Sequence, residues 1–389
     1  MKRRFHEIYP VEDSYRRFDP RNTAFERSAR GETASSYESY RSEAGAVARI
    51  QEGKPGFSLL DYVFKDAAFT VGHASRSGRG FMNSGLYSWS PLGAAHKPDG
   101  IPRWEASPGE ASKTLARAAR YYGAGGVGFC ELDRRWVYSH DMRGREIVFE
   151  DVEAWYETEG KVVIPGSHRF VMAMTVPMEF EEMRYAPSAL NPTSNMGYSR
   201  MAVLAGTVAE LIRGLGWHAL PCGNDTALSV PIAIQAGLGH VGRHGRLITW
   251  ERGPMVRICK VLTDLPLEPS PMAPGGIIEF CEVCKKCARD CPSGAIALGG
   301  RDYSGFSEAN NPGALKWYVD ADECLRYWGE VGTGCAICFR VCPFTKPDKV
   351  SHRLVKWLIR HIPSLNRLWA WSDDALGYGE QANPREYWK

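Results

Sequence analysis

Eight of the eleven cysteines fall between residues 281 and 342, while Cys130, Cys222 and Cys259 are scattered. That crowding constrains the chain more than any other feature. A disulfide framework staples a short secreted domain throughout its length, whereas here the thiols gather into two runs. The first reads Cys281-Glu-Val-Cys284-Lys-Lys-Cys287-Ala-Arg-Asp-Cys291-Pro292; the second is Cys324, ten residues, then Cys335-Ala-Ile-Cys338-Phe-Arg-Val-Cys342-Pro343. Two-residue spacings let neighbouring thiolates converge on one centre, and the proline closing each run fixes φ and turns the chain.

The first run is C-x2-C-x2-C-x3-C-P, the spacing by which bacterial ferredoxins hold two [4Fe–4S] clusters, and the second repeats it with its first gap stretched. In that arrangement the fourth cysteine of a run serves the other cluster. Ligation is therefore expected to cross, with Cys281, Cys284, Cys287 and Cys342 around one cluster and Cys324, Cys335, Cys338 and Cys291 around the other. Zinc ribbons also use C-x2-C pairs, but have no use for a C-x3-C-P closing each half. Such clusters carry single electrons at low potential and suit a reducing setting.

A cluster module over residues 275–350 leaves some 300 of the 389 residues for other work, more than an electron carrier needs. The length implies more than one core. A 44 % apolar and 24 % charged composition is ordinary for globular chains and excludes disorder, collagen and rods. With 48 basic against 45 acidic residues, the +3 charge lacks the footprint of a nucleic-acid binder. The longest apolar stretches, such as 201–212, fall short of the roughly 20 residues that span a bilayer, so no transmembrane segment is expected. Arg3-Arg4-Phe5 has the look of a twin-arginine signal, but Glu7, Glu12 and Asp13 stand where its apolar region belongs. A cytoplasmic protein is expected; the alternative is an exported mature form whose signal has been removed.

Residues 162–178 read as a buried strand, being short-range apolar and β-branched. In 198–214, Met201, Leu204, Ala205, Val208, Leu211 and Ile212 recur at helical spacing. Residues 219–222 read as a strand, 231–236 as a short helix opened by proline, and 256–263 as another strand. This alternation predicts an α/β fold. Gly237-Leu-Gly239-His-Val-Gly242 matches G-x-G-x-x-G, with Asp264 where a ribose-binding acid would be, but Gly245, Gly253 and Pro254 forbid the helix that should follow. The run is read instead as a turn allowing close backbone approach to something bulky. There is no P-loop, H-E-x-x-H or G-x-S-x-G, and dispersed histidines such as His73 and His168 read as satisfied structural residues.

From about residue 170 to 388 the chain resembles the corrinoid-dependent reductive dehalogenases. The resemblance rests on Tyr198-Ser-Arg-Met, Pro221-Cys-Gly-Asn224-Asp-Thr-Ala-Leu-Ser-Val-Pro231, Ala236-Gly-Leu-Gly, Val256-Arg257-Ile-Cys-Lys260-Val-Leu-Thr263-Asp-Leu-Pro-Leu267, the two cysteine runs with Cys342-Pro-Phe344, and Gly377-Tyr-Gly379. It covers more than half the chain. Before residue 160, Arg17-Phe-Asp-Pro-Arg-Asn22 and Phe25-Glu-Arg27 resemble the cytoplasmic, catabolic branch.

The resemblance implies a nitroreductase-like α/β domain holding base-off cobalamin, followed by a ferredoxin-like domain with two [4Fe–4S] clusters, together replacing a carbon-bound halogen by hydrogen. It divides the chain into residues 1–160 packing on the core and closing the pocket, 161–274 as cobalamin-binding core, 275–350 as cluster domain and 351–389 as tail. No Asp-x-His-x-x-Gly, the mark of histidine-ligated corrinoids, occurs. Tyr198 matches the proton donor, Arg257 the cation beside it and Asn224 a hydrogen-bonding neighbour. Tyr198, Arg257, Gly237 and Gly239 would also meet the cofactor, and Trp328 would line the substrate pocket. Family members use arginine or lysine beside the tyrosine; Arg257 and Lys260, three apart in a strand, face opposite ways, so only one can serve, and Arg257 is the expectation. An unperturbed phenol holds its proton about 3 units too tightly at pH 7, or about 4 kcal/mol, which an adjacent guanidinium offsets as the proton leaves. Epoxyqueuosine reductase is the rival reading, but its helical-repeat extension for tRNA does not fit the 39 residues after Val350. No flavin reductase is fused, so a separate ferredoxin or flavodoxin donor is expected.

Overall fold

The computed structural model describes residues 4–33, 40, 42–77 and 81–389; Arg3 of the arginine pair lies outside them. Its strands run, in chain order, β1 (Gly126–Glu131), β2 (Glu146–Glu150), β3 (Tyr156–Glu157), β4 (Lys161–Pro165), β5 (Phe170–Pro177), β6 (Ala219–Cys222), β7 (His240–Val241), β8 (Leu247–Ile248) and β9 (Val256–Thr263). The central sheet has the order β1-β5-β9-β6, every neighbouring pair antiparallel.

β5 and β9 are buried on both faces because helices cover each side. Alternation assigns Val171 and Ala173 to one core, shared with Ile232, Ala233 and Ile234 of the helix Ser229–Gln235. Met172, Met174 and Val176 fall in the other, with Leu115 of Pro108–Tyr121 and Met201, Leu204, Ala205 and Val208 of the long helix Thr193–Gly214. The fold is thus mixed α/β, as the alternating pattern implied. No helix among the described residues is long and apolar enough to cross a membrane.

Several sequence expectations are corrected. Residues 162–178 are not one strand: Pro165-Gly166 end β4, which pairs with β2 (parallel) and β3 (antiparallel) in a separate sheet. The long helix begins at Thr193, just after Pro192, so Tyr198 sits in its second turn rather than at its start. The short helix opens at Ser229, which puts Pro231 in the first turn, where its missing N–H is harmless. β1 and β2 belong to sheets that continue beyond residue 160, so pairing runs across that boundary.

His168 is buried, at 2 % exposure, yet neither ring nitrogen finds a partner among the described residues, so it is not the satisfied residue anticipated. Burial pushes its pKa down to about 4. The unfolded chain takes up this proton near pH 6.5, while the folded one refuses it until about pH 4. Its contribution to stability is therefore complete above pH 6.5 and lost as pH falls through that window, a loss of ~3 kcal/mol. Denaturant midpoints at pH 7 and 4.5 should fall further apart in the wild type than in His168→Phe.

Candidate active site and cluster cradle

Strand β9 delivers the two cations of the centre to opposite sides of the sheet. Arg257 points to the side covered by the long helix, where its Nη1 donates to Tyr198 Oη at 3.2 Å and its guanidinium carbon lies 4.3 Å from the centre of the Tyr198 ring. Asn224 Nδ2 donates to the same phenol oxygen at 3.0 Å. Neither neighbour's contacting group can accept a hydrogen bond in return, and the phenol's own hydrogen goes to no acceptor among the described residues. Tyr198, Asn224 and Arg257 are each only half-buried, so that hydrogen is free to meet a bound molecule. Phe69 packs edge-on against the ring, centroids 5.8 Å apart.

Lys260, wholly buried, lies on the other side. Its Nζ donates to the carbonyls of Gly223 at 2.5 Å and Asp225 at 3.3 Å and to Ser229 Oγ at 3.1 Å. Tyr138 Oη donates to the carbonyl between them, that of Asn224, at 3.0 Å. Three successive carbonyls are thus clamped, which fixes the Asn224 amide on Tyr198. Burial holds the Lys260 pKa below its usual value. Strand alternation foretold that Arg257 and Lys260 would face opposite ways; the clamp itself, and the part of Tyr138 in it, were not foreseen.

The cysteines fall into two groups. Cys281, Cys284, Cys287 and Cys342 line one cavity, shared with Arg243 and His244. Cys324, Cys335, Cys338 and Cys291 lie within electrostatic reach of one another, and Cys287 also feels Cys338, so the two groups adjoin. Among the described residues no three His, Cys, Asp or Glu side chains close on a single metal ion; these thiols surround a space rather than meet at a point. Burial pushes the thiols of Cys281, Cys335 and Cys338 up to about 12. Lys286, between two of the cysteines, is salt-bridged to Asp373 at 2.7 Å and Asp374 at 3.0 Å, and Lys346 reaches Asp373 at 2.6 Å, fastening the tail helix Asn366–Ala375 to both cysteine runs.

Residues 280–345 match the 4Fe-4S double cluster binding domain, and residues 137–267, which hold Tyr198, Asn224 and Arg257, match the reductive dehalogenase subunit family. Over these residues the chain is similar to the reductive dehalogenases. It is 39 % identical over 328 residues to the tetrachloroethene reductive dehalogenase of Sulfurospirillum multivorans, covering 80 % of this chain and 64 % of that one, and 35 % identical to that of Dehalobacter restrictus, covering 78 % and 61 %. The chain therefore spans a little under two thirds of the length of these curated relatives. Its fold is that of the catabolic reductive dehalogenase NpRdhA, solved with 3-bromo-4-hydroxybenzoic acid, at a TM-score of 0.70 and 23 % identity over 98 % of this chain and 49 % of that one. A shorter likeness, 30 % over 157 residues, joins it to an epoxyqueuosine reductase of Shigella dysenteriae, 38 % of each chain.

The remaining expected residues make other contacts. Where a Cβ would extend from Gly237 or Gly239, it would come within 2.2 Å of the Pro271 and Ile248 carbonyls, so the close approach is made by the chain's own backbone. Trp328, on the helix Ala321–Val331, packs on Phe25 and Tyr40 at 5.7 and 5.6 Å and against the Cys335–Cys338 cluster region. Its contacts are with the N-terminal region and the second cysteine group.

Proposed function

We propose that this chain replaces a carbon-bound halogen by hydrogen on a small organohalide, consuming two electrons and one proton and releasing halide. The observation that carries the reading is the Tyr198 hydroxyl, which accepts from Asn224 and Arg257 while its own hydrogen stays undirected toward protein. That is the arrangement of an acid whose conjugate base is stabilised in advance. Base-off cobalamin, held by the nitroreductase-like α/β core with residues 1–160 closing over it, would supply the electron pair that breaks the carbon–halogen bond. Arg257 Nε, buried and without a partner among the described residues, leaves a donor for a polar group there. The thiol sets fit two [4Fe–4S] clusters, with Cys281, Cys284, Cys287 and Cys342 holding one and Cys324, Cys335, Cys338 and Cys291 the other. Tyr198 gives its proton to the carbon that loses halide; Arg257 and Asn224 then bind the phenolate oxygen. A separate ferredoxin or flavodoxin is the proposed electron source, and the cytoplasm the proposed compartment.

The test is anaerobic halide release from chlorinated ethenes and brominated phenols by chain loaded with iron, sulfide and cobalamin. One halide per two electrons is expected. Full iron and corrinoid with no halide from any of them would overturn the reading, as would failure to hold a corrinoid after reconstitution. Direct electron transfer from NADPH would overturn the proposed donor.

Gly197 offers a finer check. A Cβ there would come within 2.8 Å of Arg257 Cγ. Gly197→Ala gains about 1 kcal/mol of helix propensity yet displaces the guanidinium, so halide release should fall about tenfold or more while the thermal midpoint holds or rises.

A further inference from the structure

The glycine-rich run 237–242 leads into a tight hairpin. β7 and β8 pair across residues 242–246, where Gly242 N donates to the Arg246 carbonyl at 2.9 Å and Gly245, at φ +71°, donates back to the Gly242 carbonyl at 2.9 Å. The turn drives Arg243 and His244 inward, to 2 % and 3 % exposure, and both line the cavity of Cys281, Cys284, Cys287 and Cys342. Arg243 spends Nε on the Cys281 carbonyl at 3.1 Å and Nη1 on the Ala297 and Gly299 carbonyls, each at 2.7 Å.

His244 is different. Its Nδ1 accepts the backbone N–H of Arg246 at 3.2 Å. A ring nitrogen that accepts carries no hydrogen, so the hydrogen of the imidazole is on Nε2. That Nε2–H is buried and has no acceptor among the described residues. The ring is held flat against Phe339, centroids 5.9 Å apart and planes within 6°, beside Cys338 of the second thiol group. A buried donor is costly to leave unpaired, and the cavity it borders is the one that receives a cluster. Hydrogen bonds to cluster sulfur are a principal control of reduction potential.

We infer that His244 Nε2–H donates to a sulfur of the [4Fe–4S] cluster held by Cys281, Cys284, Cys287 and Cys342 and raises that cluster's reduction potential. Reduction adds one negative charge to the cluster, which the donor stabilises. The inference rests on the proposed cluster ligands, not on the organohalide, so a chain that dehalogenates nothing still tests it.

The experiment is an EPR-monitored redox titration of cluster-loaded wild type, His244→Phe and His244→Gln. Phenylalanine keeps the ring stack without a donor; glutamine returns an N–H close to the place of Nε2. At a fixed poise the reduced-to-oxidised ratio of this cluster should fall about tenfold in His244→Phe, which is about 59 mV for one electron, and recover most of that in His244→Gln. The other cluster should stay within about threefold. A ratio within twofold of wild type in His244→Phe, or an equal shift of both clusters, would overturn the inference. If His244→Phe fails to assemble, ENDOR of reduced wild type labelled with ¹⁵N-histidine decides. An exchangeable proton and a histidine nitrogen coupled to the cluster are expected, and their absence refutes the bond.

Discussion

Tyr198→Phe is expected to lower the rate of halide release by 10²- to 10⁴-fold, the usual worth of a positioned general acid, while iron and corrinoid contents stay at wild-type levels. The substitution removes one oxygen and little else. The ring keeps its edge contact with Phe69 and its place under the Arg257 guanidinium. What is lost is the proton and the oxygen on which Asn224 and Arg257 converge at 3.0 and 3.2 Å. Two donors are left to water, costing about 1–3 kcal/mol of stability, so the fold should survive and the thermal midpoint should drop by a few degrees. A residue that acts only as the proton leaves should lower kcat and kcat/KM alike with KM little changed. Retention of even a tenth of wild-type kcat in fully loaded Tyr198→Phe would mean that water or another group supplies the proton.

Cys342→Ala should cost the chain half its iron and bring halide release to background. Cys342 belongs to the second run in sequence but stands with Cys281, Cys284 and Cys287 around the first cavity. Double substitutions read the crossing directly, because changes within one cooperative unit do not add. Adding Cys284→Ala to Cys342→Ala should remove no further iron, whereas adding Cys338→Ala should remove nearly all of it. The opposite pattern in iron, sulfide and EPR spin counts would show that each run serves its own cluster.

How much of this was legible varied with how local the physics is. The cysteine runs declare themselves because ligand spacing is a property of a dozen consecutive residues. The divergence of Arg257 and Lys260 was likewise open to a reader of β9 alone, since side chains alternate. Alternation of strands and helices indicated α/β but not that the sheet pairs antiparallel throughout, because pairing depends on partners far along the chain: β1 joins β5 from some forty residues away. For the same reason Tyr138 could not be connected with Asn224, 86 positions later. The G-x-G-x-x-G run was read as a turn, and a hairpin rather than a helix follows it. Its actual service, tucking Arg243 and His244 beneath the first thiol group, became visible only once the hairpin was seen to close against Cys281.

The one-strand delivery of both cations has an evolutionary corollary. β9 is gripped on either side, Arg257 opposite Val176 of β5 and Lys260 opposite Cys222 of β6. A one-residue slip in the register of β9 would exchange the two layers at a stroke, sending a lysine toward the phenol and leaving an arginine to fill a hole shaped for an ammonium. Length changes in this lineage should therefore accumulate in the connecting loops, while the eight positions of β9 drift by substitution alone.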